Sequence, residues 1–132
     1  MGLFGKLKKT QRDIAKEEIV EVPWHVLSEI QQVDEIEEQS KTTPVAIFKH
    51  STSCGISRMV LRNFEKEYTL TDDQMKLYYL DLKANRAVSN EVAQRFQVIH
   101  ESPQIIVVKN GATVAHASHH SIQAGDLEQF VA

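Results

Sequence analysis

Apolar residues along the chain switch between two spacings, and the switches mark the elements. Glu18-Ile-Val-Glu-Val22 alternates apolar and charged positions like a short strand, and Pro23 ends it. From residue 24 to 39, Val26, Leu27, Ile30, Val33 and Ile36 recur at helical spacing with acidic residues between them, which predicts a helix. Lys41 to Pro44 reads as a loop, and Pro44 to Lys49 as a buried strand. Met59, Val60, Phe64 and Tyr68 return to helical spacing over 54–68, and Thr69 to Asp73 reads as a turn. Lys76 to Leu82, rich in aromatic and apolar residues, predicts the next strand. Ala87, Val88, Val92, Ala93 and Phe96 mark a third helix, and Ile105 to Val108 a buried strand. Asn110-Gly111 is a strong hairpin-turn dipeptide, so Ala112 to Ala117 is the expected returning strand. Ile122, Leu127, Phe130 and Val131 share one face of a closing helix, which Gly125 weakens.

Strands alternating with helices of this length imply an α/β fold, with right-handed crossovers, a parallel core sheet and helices on both faces. The terminal hairpin adds an antiparallel strand, making the central sheet mixed. At 132 residues the expectation is one domain spanning 1–132, with residues 1–17 as a loosely ordered N-terminal extension.

Hydrophobic residues at 42% and charged residues at 25% are globular proportions. A net charge of -3 gives no electrostatic reason to expect nucleic acid as a partner. No apolar run is long enough to span a bilayer, so no membrane partner is expected either. The basic start, Met1 to Lys9, lacks the apolar stretch of a signal peptide and carries Lys6 where a myristoylation motif needs Ser or Thr.

The chain has a single cysteine, Cys54. That rules out an internal disulfide and fits a reducing, cytoplasmic setting. Cys54 follows a predicted strand and the polar loop His50-Ser-Thr-Ser53, and it opens the helix beginning Gly55-Ile-Ser-Arg-Met-Val60. Backbone N–H groups and the positive helix end favour thiolate over thiol there. Any disulfide it makes is with another molecule. The alternative, a packed and inert cysteine, is disfavoured by the polar loop and the helix-start position.

The element order, with this cysteine at the head of the helix after the second strand, resembles the thioredoxin-like fold. So does Ser102-Pro103 just before Gln104 to Val108. The resemblance implies a cis bond at Pro103 and a proline that faces the active cysteine. Phe48 to Ser57, Leu80-Asp-Leu82, Arg86 to Asn90, His100-Glu-Ser-Pro-Gln104, Asn110-Gly111 and Ala117-Ser-His119 resemble the YtxJ-type monothiol bacilliredoxin family. That resemblance implies a cytoplasmic thiol-disulfide oxidoreductase that removes bacillithiol from protein mixed disulfides. Bacillithiol would be a thiol co-substrate with no bound cofactor, and the partners would be S-bacillithiolated client proteins. One departure is Gly55, where the family's cysteine is commonly followed by Pro.

Chemically, a Cys54 thiolate attacks a mixed disulfide, releases the client and carries the small thiol itself. Dithiol relatives resolve that species with a second cysteine three residues on. Here that position is Ser57, whose hydroxyl could only donate a hydrogen bond to the thiolate. Ser53 and Thr52 are candidates to hydrogen-bond the sulfur or cap the helix. Lys49 and His50 either add positive potential or point to solvent. Arg86 is a candidate clamp for a small-thiol carboxylate, with Ser89 and Asn90 as polar first-turn residues beside it. Cys54 with the cluster His116, His119 and His120 could suggest a metal carrier, but His116 falls on a strand and no carboxylate or cysteine nearby completes a ligand spacing, so no metal is expected. His25 and His100 carry no assigned role. A second functional reading is a redox-sensing or client-binding module, modified at Cys54 without turnover.

Overall fold

The computed structural model describes residues 22–131. Five strands form one mixed sheet: β1 (Trp24–Val26), β2 (Val45–His50), β3 (Lys76–Asp81), β4 (Gln104–Lys109) and β5 (Ala112–Ser118), in the order β1-β3-β2-β4-β5. Three α-helices, α1 (Gln31–Gln39), α2 (Gly55–Glu67) and α3 (Arg86–Arg95), and two 3-10 segments, His119–Ser121 and Ala124–Phe130, complete the described elements.

β1, β3 and β2 run parallel, whereas β4 is antiparallel to β2 and β5 antiparallel to β4. The expected α/β architecture, with a parallel core and a C-terminal hairpin, is present. The hairpin is reached differently from a simple crossover. After α3, residues 97–103 run back beside that helix, so β4 starts at the end of the sheet where β2 finishes, with Lys49 opposite Gln104. Asn110 and Gly111 both take positive φ, 53° and 78°, as the hairpin dipeptide requires.

Two expectations are corrected. The helix anticipated over 24–39 begins only at Gln31, because Trp24–Val26 pairs with Leu77 to Tyr79 of β3. The packing of Trp24 decides this: its ring sits 6.0 Å from Phe48, 5.9 Å from Phe64 and 5.6 Å from Tyr79, and its indole N–H donates to Glu65 Oε2 at 2.7 Å. The closing helix is a 3-10 run, Ala124–Phe130, that buries Ala124 and Leu127. The strand anticipated at Glu18 to Val22 lies outside the described residues except for Val22.

Alternation along β2 assigns the two faces of the sheet. Val45 and Ile47 join a core with Val33 and Ile36 of α1 and Val88 and Val92 of α3. Ala46 and Phe48 join the opposite core with Val60 and Phe64 of α2 and Leu127 of the final 3-10 segment. The same alternation puts Lys49 on the α3 face and His50 on the α2 face.

Candidate active site

The C-terminal end of β2 turns through Ser51 to Ser53 into α2, and Cys54 is the helix N-cap. Its backbone is extended, φ −102° and ψ 122°, its N–H donates to Ser51 O at 3.2 Å, and its carbonyl accepts from Arg58 N at 3.1 Å. The thiol makes no capping hydrogen bond and is half-buried. α2 has no acidic residue in its first turn to offset its positive end. The sulfur is therefore held at a helix start, with its own bonding capacity left over.

Ser57, three residues on, is fully buried, and its hydroxyl is engaged away from the cysteine. Ser57 Oγ accepts from Ser51 N at 3.1 Å and lies 2.8 Å from His50 Nδ1. The hydrogen bond anticipated between this serine and the sulfur is replaced by a tie that closes the loop between β2 and α2. His50 is buried as well, 5.6 Å from the Tyr79 ring. Burial lowers its pKa below the ordinary histidine value, with Asp81 and Glu65 opposing the shift, so the ring is neutral at pH 7. His50 thus braces the loop and adds no positive charge.

Ser53 and Thr52 neither cap the helix nor bond the sulfur. Ser53 Oγ accepts from Lys83 Nζ at 3.1 Å and lies 3.4 Å from Ser51 Oγ, and Thr52 O accepts from Arg58 Nη1 at 3.2 Å. Lys83 and Arg58 are site residues that the sequence reading missed. Lys83 comes from the turn after β3, about thirty positions away, and no local pattern announces it. Arg58 could have been found, since it stands one helical turn beyond Cys54 on α2.

The other wall begins at the Ser102–Pro103 peptide bond, which is cis, with Pro103 buried. The pairing of Lys49 with Gln104 brings this loop to the sheet end that carries Cys54. Gln104 is fully buried and pins the loop, accepting from Glu101 N at 3.4 Å and donating to Ile99 O at 3.0 Å. Lys49 does not reach solvent. It is fully buried, and its Nζ lies 3.3 Å from His100 Nδ1. Arg86 is the exposed first residue of α3. Ser89 is buried in that helix, and Asn90 is exposed.

His116 lies on β5, whereas His119 and His120 lie on the 3-10 turn that follows, and all three are exposed. Among the described residues no group of three His, Cys, Asp or Glu side chains is placed to hold a metal ion. No helix among them is long and apolar enough to cross a membrane.

A cysteine at the N-cap of the helix after the second strand, set at the sheet end that also carries the cis-proline loop, defines a thiol-disulfide oxidoreductase of thioredoxin fold. A solved candidate oxidoreductase with a thioredoxin fold is 34% identical, with a TM-score of 0.69, covering 81% of this chain and 92% of its own. Residues 25–127 match the model of the monothiol bacilliredoxin BrxC family, and the chain belongs to that family. More distant structures share the fold. The thioredoxin of Malassezia sympodialis is 22% identical with a TM-score of 0.63, covering 83% of this chain and 87% of that one. That of Fasciola hepatica is 17% identical with a TM-score of 0.58, covering 80% and 94%.

Proposed function

We propose that the protein removes bacillithiol from S-bacillithiolated client proteins in the cytoplasm, with Cys54 as the nucleophile. The observation that carries this reading is a half-buried cysteine at a helix N-cap with an uncommitted sulfur, followed three residues later by a serine whose hydroxyl is tied to His50 and Ser51.

In the first step the Cys54 thiolate attacks the small-thiol sulfur of the mixed disulfide. A new bond forms between Cys54 and the small thiol, the old disulfide breaks, and the client leaves as a thiolate that takes a proton from water. Ser57 cannot attack the resulting adduct. A second bacillithiol therefore attacks it, forming bacillithiol disulfide and returning Cys54 to its thiolate. The protein ends each cycle as it began.

The test is a client carrying one bacillithiol, mixed with the protein and excess bacillithiol and followed by mass. Many clients released per protein support the enzyme. A single stoichiometric transfer that stops there would instead mark a sensing module modified at the same sulfur.

A further inference from the structure

Lys49 is a cation where a strand should bury a hydrocarbon. Its side chain is fully enclosed on the α3 face of the sheet, and among the described residues no carboxylate pairs with it. A buried charge without a counter-ion is costly, and protein interiors rarely keep one without a use.

The group that touches it, His100, is no counter-ion, and Arg86, whose charge also acts on that ring, shares the lysine's sign. Lys49 Nζ donates to His100 Nδ1 at 3.3 Å, which leaves the His100 ring proton on Nε2 as an outward donor. Both Lys49 and Arg86 lie close enough to His100 for their positive charges to lower its pKa, after burial, which is the larger cause. Arg86 opens α3, a ten-residue helix with no acidic residue in its first turn and no side-chain bond from its N-cap, Asn85. The N–H groups of its first turn are therefore free of helical partners. Ser102 Oγ, two residues from His100, is buried with no hydrogen-bond partner. The one acid that His100 feels is its neighbour Glu101, whose carboxylate is engaged by the Ser118 hydroxyl.

This cluster adjoins the reactive loop. Lys83, three residues before Arg86, donates to Ser53 Oγ beside Cys54. His100 also ends an open groove of about 450 Å³ along α3, lined by Asn90, Gln94 and Gln97.

We propose that His100 and Arg86, backed by the enclosed Lys49, form an anion site for a carboxylate of the small thiol that exchanges at Cys54. The inference rests on the reading of Cys54 as the exchanging residue, and it adds how the thiol is selected. A carboxylate there accepts from His100 Nε2 and from Arg86, and Lys49, enclosed behind the ring, adds its charge through His100 rather than by contact, which leaves the thiol's sulfur end for Cys54.

The test compares rates at which Cys54 is modified by bacillithiol disulfide and glutathione disulfide, which carry carboxylates, and by hydroxyethyl disulfide, which carries none. In each case Cys54 attacks one sulfur and the other half leaves as a thiolate. Wild type is expected to prefer the carboxylate-bearing reagents, and Arg86→Ala or His100→Ala should each cut that preference about tenfold, as loss of one charge-assisted contact would, with Lys49→Met cutting it less. Rates with hydroxyethyl disulfide should stay level. Lys66→Ala, which removes an equal charge near the far end of α2, should keep the preference. Equal rates for all reagents in wild type, or a preference intact in both Arg86→Ala and His100→Ala, overturn the anion site and leave the exchange reading standing. A wild type that reacts with none of them ends the exchange reading itself.

Discussion

Ser57 Oγ lies 2.8 Å from His50 Nδ1, with both side chains buried at the junction of β2 and α2. The serine that stands where dithiol relatives carry a resolving cysteine is therefore a brace for the loop that presents Cys54. Its hydroxyl also accepts from Ser51 N at 3.1 Å, so one oxygen serves two buried or half-buried partners.

Ser57→Ala separates bracing from chemistry. It leaves His50 Nδ1 and Ser51 N without their partner, at a cost of about 1–3 kcal/mol in denaturant unfolding. The first exchange at Cys54 needs one sulfur, so adduct formation by mass should persist. A variant as stable as wild type that has lost all adduct formation would assign the hydroxyl to catalysis.

Gly55 departs from the family's usual Pro, and its geometry would accept that Pro. It is the first helical residue, where the missing N–H costs no helix bond, and Cys54 already has the extended backbone a pre-proline residue prefers. A Cβ at Gly55 would meet nothing closer than Arg58 Nη2 at 3.8 Å. Gly55→Pro should stabilise the fold by about 0.4–1 kcal/mol, chiefly by restricting the unfolded chain. Destabilisation in urea would show that the loop needs the glycine.

Lys49 makes stability depend on alkaline pH. Burial lowers its pKa from 10.5 to about 8, so between those values the unfolded chain binds more protons than the folded one. Above 10.5 both states are neutral and Lys49 costs nothing; the cost builds as pH falls from 10.5 to about 8 and is complete below that, on the order of 3 kcal/mol at pH 7. Lys49→Met should therefore be more stable than wild type at pH 7 by about 1–3 kcal/mol, with the gap narrowing above pH 8. Unfolding curves at pH 7 and pH 9.5 check both halves. A less stable variant at pH 7 would mean the ammonium has a counter-charge in the folded chain.

Much of this was legible from residue spacing. Phe64 and Tyr68 at helical intervals after Cys54 located α2, Ile105 to Val108 located β4, and Asn110-Gly111 located the turn into β5. β1 was hidden because Val26 and Leu27 fall in phase with the helix that follows. What overrides that phase is Trp24 packing on Phe48, Phe64 and Tyr79, contacts made across the sheet and invisible to local spacing. Within the site, the cysteine and the Ser-Pro loop are read from sequence neighbours. The roles of His50, Ser57 and Lys83 depend on which way a side chain points at the sheet end. Strand phase gives Lys49 a face, that of Val45 and Ile47, but not its burial, since every position of β2 is covered on one side of the sheet or the other.

The most direct measurement is release of a bacillithiolated client by wild type and by Cys54→Ala, read by intact mass with excess bacillithiol present. Wild type should release many clients per molecule while a bacillithiol adduct maps to the Cys54 peptide, and Cys54→Ala should release none above background. Continued release by Cys54→Ala would contradict the account, because the only other sulfurs on this chain are methionine thioethers, which cannot form a disulfide.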